Sequence, residues 1–473
     1  MATRPDKCPN CARLEQRVAQ LERMLSVATA RIEELEKKLA AAGKNSSNSS
    51  KPPSSDIVKP PPQPLKKGRR RKRRRGGQPG HQRNTRPLYP PEQVDTTWIY
   101  ESTGVGDDWE PLDQFRVIQQ VDLAPKLVTV TEHRARLYRH RRTGKVIAAD
   151  LPPEVIRGGL IGPRLTALAA YQKGACHMSY TLIQRFLNDV FGFPVSTGEL
   201  AKVIRKASAA LAESYGALQT QLPDQPILNI DETGHPECGH KLWTWGFHAP
   251  GENGFTWFHI DPSRSSQVLK DFLGETFAGI IGCDYHSAYR KFLRETDARL
   301  QFCWAHLIRD VKFLVTLPDP STKRYGERVL GAMKALFRTW HRRRETSAIG
   351  WQRAAERARR QVLDAARRAP HRTEAQNIAA RFRDHATYYF LFLTVPGLEP
   401  TNNAMERGFR HLVADRKLTQ GTRGAIGRRW CERIWTVLAT CAQQKRSAFE
   451  FIYRSILADF HAQSPPMLLP IVN

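Results

Sequence analysis

The sequence predicts a multidomain α/β protein: an N-terminal coiled coil, a small β domain, a helical region, and a strand-rich core interrupted by a helical insertion. Three observations predict it. A heptad seam runs unbroken through residues 14–39. Short strand patterns cluster between residues 227 and 304. Helical patterns lie on either side, at 160–220 and 321–390. A chain of 473 residues suits about three domains.

Charge narrows the class of partner. Lys and Arg number 74 against 46 Asp and Glu, a formal net charge of +28. An excess that large points to a polyanion, most simply nucleic acid. A solvated basic surface is the plainer reading, but much of the excess is clustered. No apolar run is long enough to span a membrane. The N-terminus carries no apolar signal core, so the expectation is a cytoplasmic, nucleoid-associated protein. Eight scattered cysteines do not form the pattern of a secreted disulfide framework.

Residues 1–43 are read as the dimerisation segment. Leu14, Leu21, Ala28 and Leu35 fall at d, and Val18, Leu25, Ile32 and Leu39 at a. Such a seam favours a parallel two-stranded coil. Arg17, Arg31 and Lys38 occupy g, and Glu15, Glu22 and Glu36 occupy e, so Arg17 reaches Glu22 of a partner and Arg31 reaches Glu36. A single amphipathic helix packed on the body is the alternative; the opposite e and g charges favour the dimer. Cys8 and Cys11 precede the coil. Structural zinc needs four ligands, so the pair is a possible zinc site only if two chains share it.

Residues 44–91 read as a linker. Ser, Asn and Pro runs there cannot bury a core. Within it Lys66, Lys67, Arg69, Arg70, Arg71, Lys72, Arg73, Arg74 and Arg75 place nine cations in ten residues. They are the candidate DNA-binding residues: they neutralise phosphates and give affinity rather than sequence choice. Residues 92–152 read as a small β domain, with strands at Phe115–Asp122 and Leu127–Leu137 and turns at Gly104-Val105-Gly106 and Thr143-Gly144-Lys145. Residues 153–222 read as helices. The break Phe191-Gly192-Phe193-Pro194, followed by Ser196 or Thr197 as N-cap, is compatible with a helix-turn-helix and equally with a plain helical hairpin.

The first part of the core, 223–316, carries two acids. Ile227–Thr233 alternates, with Leu228 and Ile230 toward the core, Asp231 on the polar face, and Glu232 pointing away from it. Leu242–His248 and Phe255–Ile260 read as a hairpin across Pro250–Gly254. Gly279–Asp284 is apolar on both faces, as an interior strand would be, and ends on Asp284. Leu300–Trp304 is a fifth strand running into a helix at Ala305–Leu314. Strands in this order, then a helix, resemble an RNase H-like core.

Residues 317–394 form a helical, Arg-rich insertion that would cover bound DNA or present a solvated charged face. Residues 395–473 complete the core, with a basic, flexible loop at Gln420–Gly424 and an apolar helix at Arg429–Gln443. The third acid is Glu406. Asn403 as N-cap with Glu406 three residues later is also a capping box, so spacing alone leaves its role open.

Three carboxylates from separate elements suit Mg²⁺ or Mn²⁺. Two such ions about 3.5–4 Å apart activate the attacking oxygen and stabilise the leaving oxygen of a phosphodiester. Asp231 is expected to bridge them, with Asp284 and Glu406 outside. Without metal the like charges should raise at least one pKa.

These residues resemble the insertion-sequence-66 family of bacterial transposases, of the DDE class. The likeness runs along nearly the whole chain: Lys44-Asn45-Ser46-Ser47-Asn48-Ser49-Ser50-Lys51-Pro52-Pro53-Ser54-Ser55-Asp56; Gly76-Gly77-Gln78-Pro79-Gly80-His81; Asp231-Glu232-Thr233; Cys283-Asp284-Tyr285 with Ala288-Tyr289; Cys303-Trp304-Ala305-His306; and Asn402-Asn403-Ala404-Met405-Glu406-Arg407. The resemblance implies an RNase H-like catalytic core, Asp231, Asp284 and Glu406 as catalytic metal ligands, cleavage of transposon ends, and joining of 3′-hydroxyls to target DNA. It makes Cys303, His306, Asn402, Asn403 and Arg407 supporting residues, with His306 structural in preference to a metal ligand. It also implies a homodimer or higher oligomer and leaves room for accessory proteins of the same element. Two departures stand out. Residues 92–150 lack the Cys pairs of the family's zinc ribbon, and Tyr285 replaces the usual Gly after the second acid. A non-catalytic DNA-binding regulator and a plain nuclease are the alternative readings.

Overall fold

The computed structural model describes residues 9–44, 87–100, 113, 115–124 and 127–469. The basic run at 66–75, Cys8 and the Gly76–His81 stretch lie outside them, as does the side chain of Cys11. The chain divides into two units, residues 61–134 and the remainder.

In the smaller unit Gln119 donates to the Tyr89 carbonyl at 2.9 Å and accepts from its N–H at 2.6 Å. The strands expected at Phe115–Asp122 and Leu127–Leu137 do not form there; only Leu137, in the larger unit, enters a strand. Among the described residues no layer covers these positions. Phe115, Ile118, Val121 and Val130 are all exposed. Alternation without a covering layer gives a strand nothing to pack against.

The larger unit opens with helix α1, Pro9–Ala42. Its seam is open to solvent: Leu14, Val18, Leu21, Leu25, Ile32, Leu35 and Leu39 are each at least half exposed. Strands β1 (Leu137–Arg139) and β2 (Val146–Ala148) form an antiparallel pair around the expected turn at Gly144, φ 71°. Five helices follow: α2 (Pro153–Gly158), α3 (Pro163–Gly174), α4 (Tyr180–Phe191), α5 (Thr197–Ala210) and α6 (Ala212–Thr220). Gly192 closes α4 at φ 63°, and the Ser196 hydroxyl caps α5 by accepting from Glu199 N–H. Ile161, Ala169, Ile183, Leu187, Leu200 and Val203 give α3, α4 and α5 a small core of their own.

A five-stranded mixed sheet follows, in the order β5-β4-β3-β6-β7. Strands β3 (Ile227–Glu237), β4 (His240–Ala249) and β5 (Phe255–Asp261) are antiparallel neighbours; β6 (Ile280–Cys283) and β7 (Arg299–Phe302) run parallel to β3. Helix α7 (Ser266–Leu273) precedes β6, α8 (Ser287–Glu295) links it to β7, and α9 (Trp304–Thr316) leaves β7 directly. The interior positions of β6 are all buried, as an apolar central strand requires.

The insertion is α10 (Pro320–His341), α11 (Ala348–Arg367) and α12 (Thr373–Phe390). The chain returns through α13 (Asn403–Thr419), α14 (Ala425–Gln443) and α15 (Ala448–Phe460). Helix α14 lies along the edge strand β5. Glu432, Thr436 and Thr440 accept from the N–H groups of Ile260, Phe258 and Thr256 at 2.8, 3.0 and 3.1 Å. Four helical residues rise about 6 Å and two strand residues about 6.7 Å, so the two spacings keep step. The Gln420–Gly424 loop, expected to be flexible, is tied to β3. Thr422 pairs with Glu237, and Gly421 at φ 89° lies so close to Pro236 that a Cβ would strike its carbonyl.

Candidate active site

Sheet register sets the two aspartates side by side. Asn229 pairs with Gly282 in the parallel β3–β6 ladder. Two residues further along each chain stand Asp231 and Asp284. Adjacent strands are about 4.8 Å apart, so the two carboxylates share one rim of the sheet. Each is anchored by backbone: Asp231 Oδ1 accepts from Glu232 N–H at 2.9 Å, and Asp284 Oδ1 accepts from His286 N–H at 2.8 Å.

Helix α13 brings Glu406 to the same rim. Asp231 faces Gly246 across the β3–β4 register, and a Cβ on Gly246 would collide with Met405 and Phe409 of α13. The helix therefore packs on bare backbone beside Asp231. Its start is pinned further by Asn402, whose Nδ2 donates to the Ile230 carbonyl at 2.8 Å while its N–H donates to Cys303 Sγ at 3.2 Å. Trp304 N–H reaches the Pro400 carbonyl at 3.0 Å, and Cys303 N–H the Cys283 carbonyl at 2.7 Å. Strands β3, β6 and β7 and helices α9 and α13 are thus stitched at one corner.

The capping-box reading of Glu406 fails. The N-cap is Asn402, one residue earlier than expected, and makes no side-chain cap bond. The Glu406 carboxylate turns away from its own helix. Arg309 Nη2 donates to both its oxygens, at 3.0 and 3.3 Å, and His306 Nε2 lies 3.7 Å from Oε1.

Electrostatics follow from the crowding. Burial pushes the Asp231 carboxyl well above the usual carboxylate range; the charges of Glu232, Asp284 and Glu406 add to it, and the Glu232 N–H opposes. Burial also raises Asp284, with Glu232 next; His306, the His286 N–H and Arg264 pull the other way. The expected rise is present, but burial leads and repulsion follows. A site that disfavours its own anions fits hard cations, which oxygen donors suit. Cys303, His306 and Glu406 also bring three potential ligand atoms within 4.8 Å. Burial raises the Cys303 thiol to about 11, and it already accepts the Asn402 N–H, so it serves as an anchor. Burial lowers His306, with Arg309 next.

Sequence reasoning missed three partners. Glu232 does point away from Asp231, into the core, where its side chain is fully buried. There it meets Arg264 at 2.6 Å and the Tyr289 hydroxyl at 2.6 Å. The available signal was an acid at a core-facing strand position, which demands a cation or donor. Arg309 was missed because its partner lies 97 residues away. Asn403 and Arg407, expected to support the site, are exposed on α13, while Asn402, Cys303 and His306 are built into it.

Compared with known proteins, the chain matches the model of the family described as "Transposase IS66 family" over residues 158–428, more than half its length. Residues 5–87 match a family of unknown function. No curated protein matches. Among solved structures, one similar chain is from the cryo-electron microscopy structure of the simian T-cell lymphotropic virus intasome in complex with the PP2A regulatory subunit B56 gamma. The identity is 13%, over 40% of this chain and 66% of that one, with a TM-score of 0.15.

Proposed function

The chain belongs to the IS66 family of transposases, and from that premise we propose that it cuts transposon ends and joins the freed 3′-hydroxyls to target DNA through Asp231, Asp284 and Glu406. What supports the reading is that Asp231 lies in β3 and Asp284 directly follows β6, its parallel neighbour, while Glu406 stands on α13, a helix that packs on Gly246 beside Asp231. We read the five-stranded sheet with its helical insertion as an RNase H-like core.

Asp231, Asp284 and Glu406 are the residues that would hold two Mg²⁺ or Mn²⁺ ions. Such ions supply an activated attacking oxygen and a stabilised leaving oxygen. This chain's own groups do the rest. Glu232, clamped by Arg264 and Tyr289, holds β3 in register beneath Asp231. Asn402 fixes the start of α13, and so the depth of Glu406. Arg309, reaching across from α9, holds the Glu406 carboxylate in place. The exposed seam of α1 favours the parallel homodimer, and the cations at 66–75 supply sequence-independent DNA affinity. Residues 153–222 form a helical module that precedes the core in sequence.

The test is direct. Full-length protein is incubated with Mg²⁺ and a duplex carrying the inverted repeats that bracket its gene. Nicking at the repeat ends and joining to a plasmid are expected, and both vanish in Asp231→Asn and Glu406→Gln while binding persists. Cutting without joining indicates a nuclease; binding without cutting indicates a regulator. Full activity in either variant removes the catalytic assignment. For the coil, removal of residues 1–43 should halve the mass seen by light scattering; an unchanged mass refutes dimerisation there.

A further inference from the structure

The helical insertion holds a second feature that the three acids do not use. Between α11 and the segment from Phe390 to Glu399 lies a cavity of about 1550 Å³. Its lining includes Arg343, Arg344, Arg353, Arg357, Arg359 and Arg360, with Glu356 and Glu399 as the acids. Glu356 is spent on Arg360 at 2.8 Å and Arg359 at 3.4 Å. Arg344, Arg353 and Arg357 form no ion pair among the described residues, and all three are exposed. A solvated charged face would need no aromatic lining, yet this groove has one. Trp351 is half-buried at its wall, and the Arg343 guanidinium lies 3.8 Å over the Trp340 ring.

The wall of the groove is joined to the acid corner through the packed core. Phe392 of its wall packs on Trp340 at 6.1 Å and on Trp304 at 6.2 Å. Trp304 is the first residue of α9, next to Cys303. The wall segment ends at Glu399, seven residues before Glu406.

We propose that the groove seats an unpaired DNA strand, with a base against Trp351 and phosphates on Arg344, Arg353 and Arg357. The inference rests on the transposase reading for its choice of DNA. Three points support it. The charge is strongly positive. The volume exceeds the about 300–1000 Å³ of small-ligand sites, which suits a polymer. The interleaving of arginine and aromatic groups serves bases with free faces: unpaired bases stack on aromatic rings and guanidinium planes, whereas duplex bases are stacked on one another.

The experiment uses full-length protein without divalent metal. The probe is a 20-nucleotide strand with 5-iododeoxyuridine at alternate positions, alone or annealed to its complement. After irradiation, adducts are mapped by mass spectrometry, and affinities are read by fluorescence anisotropy at about 150 mM salt. The single strand should form an adduct on the peptide containing Trp351, and the duplex little. Trp351→Ala should weaken the single strand about fivefold or more while changing the duplex less than twofold, and Trp351→Phe should retain most of the affinity. The double variant Arg353→Glu, Arg357→Glu, which alters only exposed side chains, should weaken the single strand too. Adducts confined to residues outside the groove overturn the proposal, as does an equal loss for strand and duplex in Trp351→Ala. Because no step requires Mg²⁺, a chain that never cuts DNA but still forms the Trp351 adduct refutes the enzymatic reading and keeps the groove.

Discussion

The rim of the sheet and the groove of the insertion treat charge in opposite ways. At the rim, Asp231 and Asp284 sit on neighbouring strands beside Glu406, and burial, followed by the charge of Glu232, holds both aspartates above the usual carboxylate range. In the groove, Arg344, Arg353, Arg357 and Arg360 are spread along the chain and remain exposed. The contrast teaches what each region is built to meet. Clustered, half-buried carboxylates await small, dense cations. Dispersed, exposed cations await a long anion that arrives without prior ordering.

Four measurements break or sharpen that contrast. The largest effect belongs to Asp231→Asn, which should reduce Mg²⁺-dependent cutting at least about 1000-fold while leaving DNA affinity within twofold. Comparable losses of cutting and affinity would mean that the rim binds DNA and does no chemistry. Next, Arg309→Gln should lower kcat about 100-fold with little change in KM for DNA, because it removes a cation beside the acids rather than a grip on the strand. Its melting temperature should barely move, since both Arg309 and Glu406 are partly solvated.

A stability effect comes third. Glu232→Gln leaves Arg264 facing a neutral amide and should cost about 2 kcal/mol, read by urea unfolding; Tyr289→Phe should cost about 1 kcal/mol. A cost-free Glu232→Gln would show that the clamp does not hold β3. The smallest effect is in pH. The folded chain raises Asp231 and Asp284, so the protonated forms favour the fold. Their contribution is complete below the ordinary aspartate value and drains away as pH rises through the raised folded values. In EDTA the wild type should therefore lose stability relative to Asp231→Asn as pH rises above the ordinary aspartate value, and Mg²⁺ should restore it at neutral pH. A pH-independent difference would deny the crowding.

How much of this was legible in the sequence depends on how local each relation is. Alternation, an apolar run and a turn signal located β3 to β7, because strand and turn patterns are local. Leu228 and Ile230 are buried as their phase requires, and the Pro250–Gly254 turn falls between β4 and β5. Alternation placed Glu232 opposite Asp231 but could not name Arg264 and Tyr289, which arrive from other elements. Glu406 was ambiguous because a one-residue change in the N-cap decides whether its side chain serves its own helix or a distant arginine. The strands expected at 115–122 and 127–137 had the right residues and lacked a face to cover them. Family resemblance, rather than spacing, singled out the third acid.

The ladder of Glu432, Thr436 and Thr440 along β5 carries a consequence for crowding. A sheet whose outermost strand is left bare is an invitation to recruit the same strand from a neighbour. Here the side chains of α14 act as decoys that occupy the amide groups in advance. Neighbouring copies at high local concentration therefore find no bare strand on that flank to zip onto.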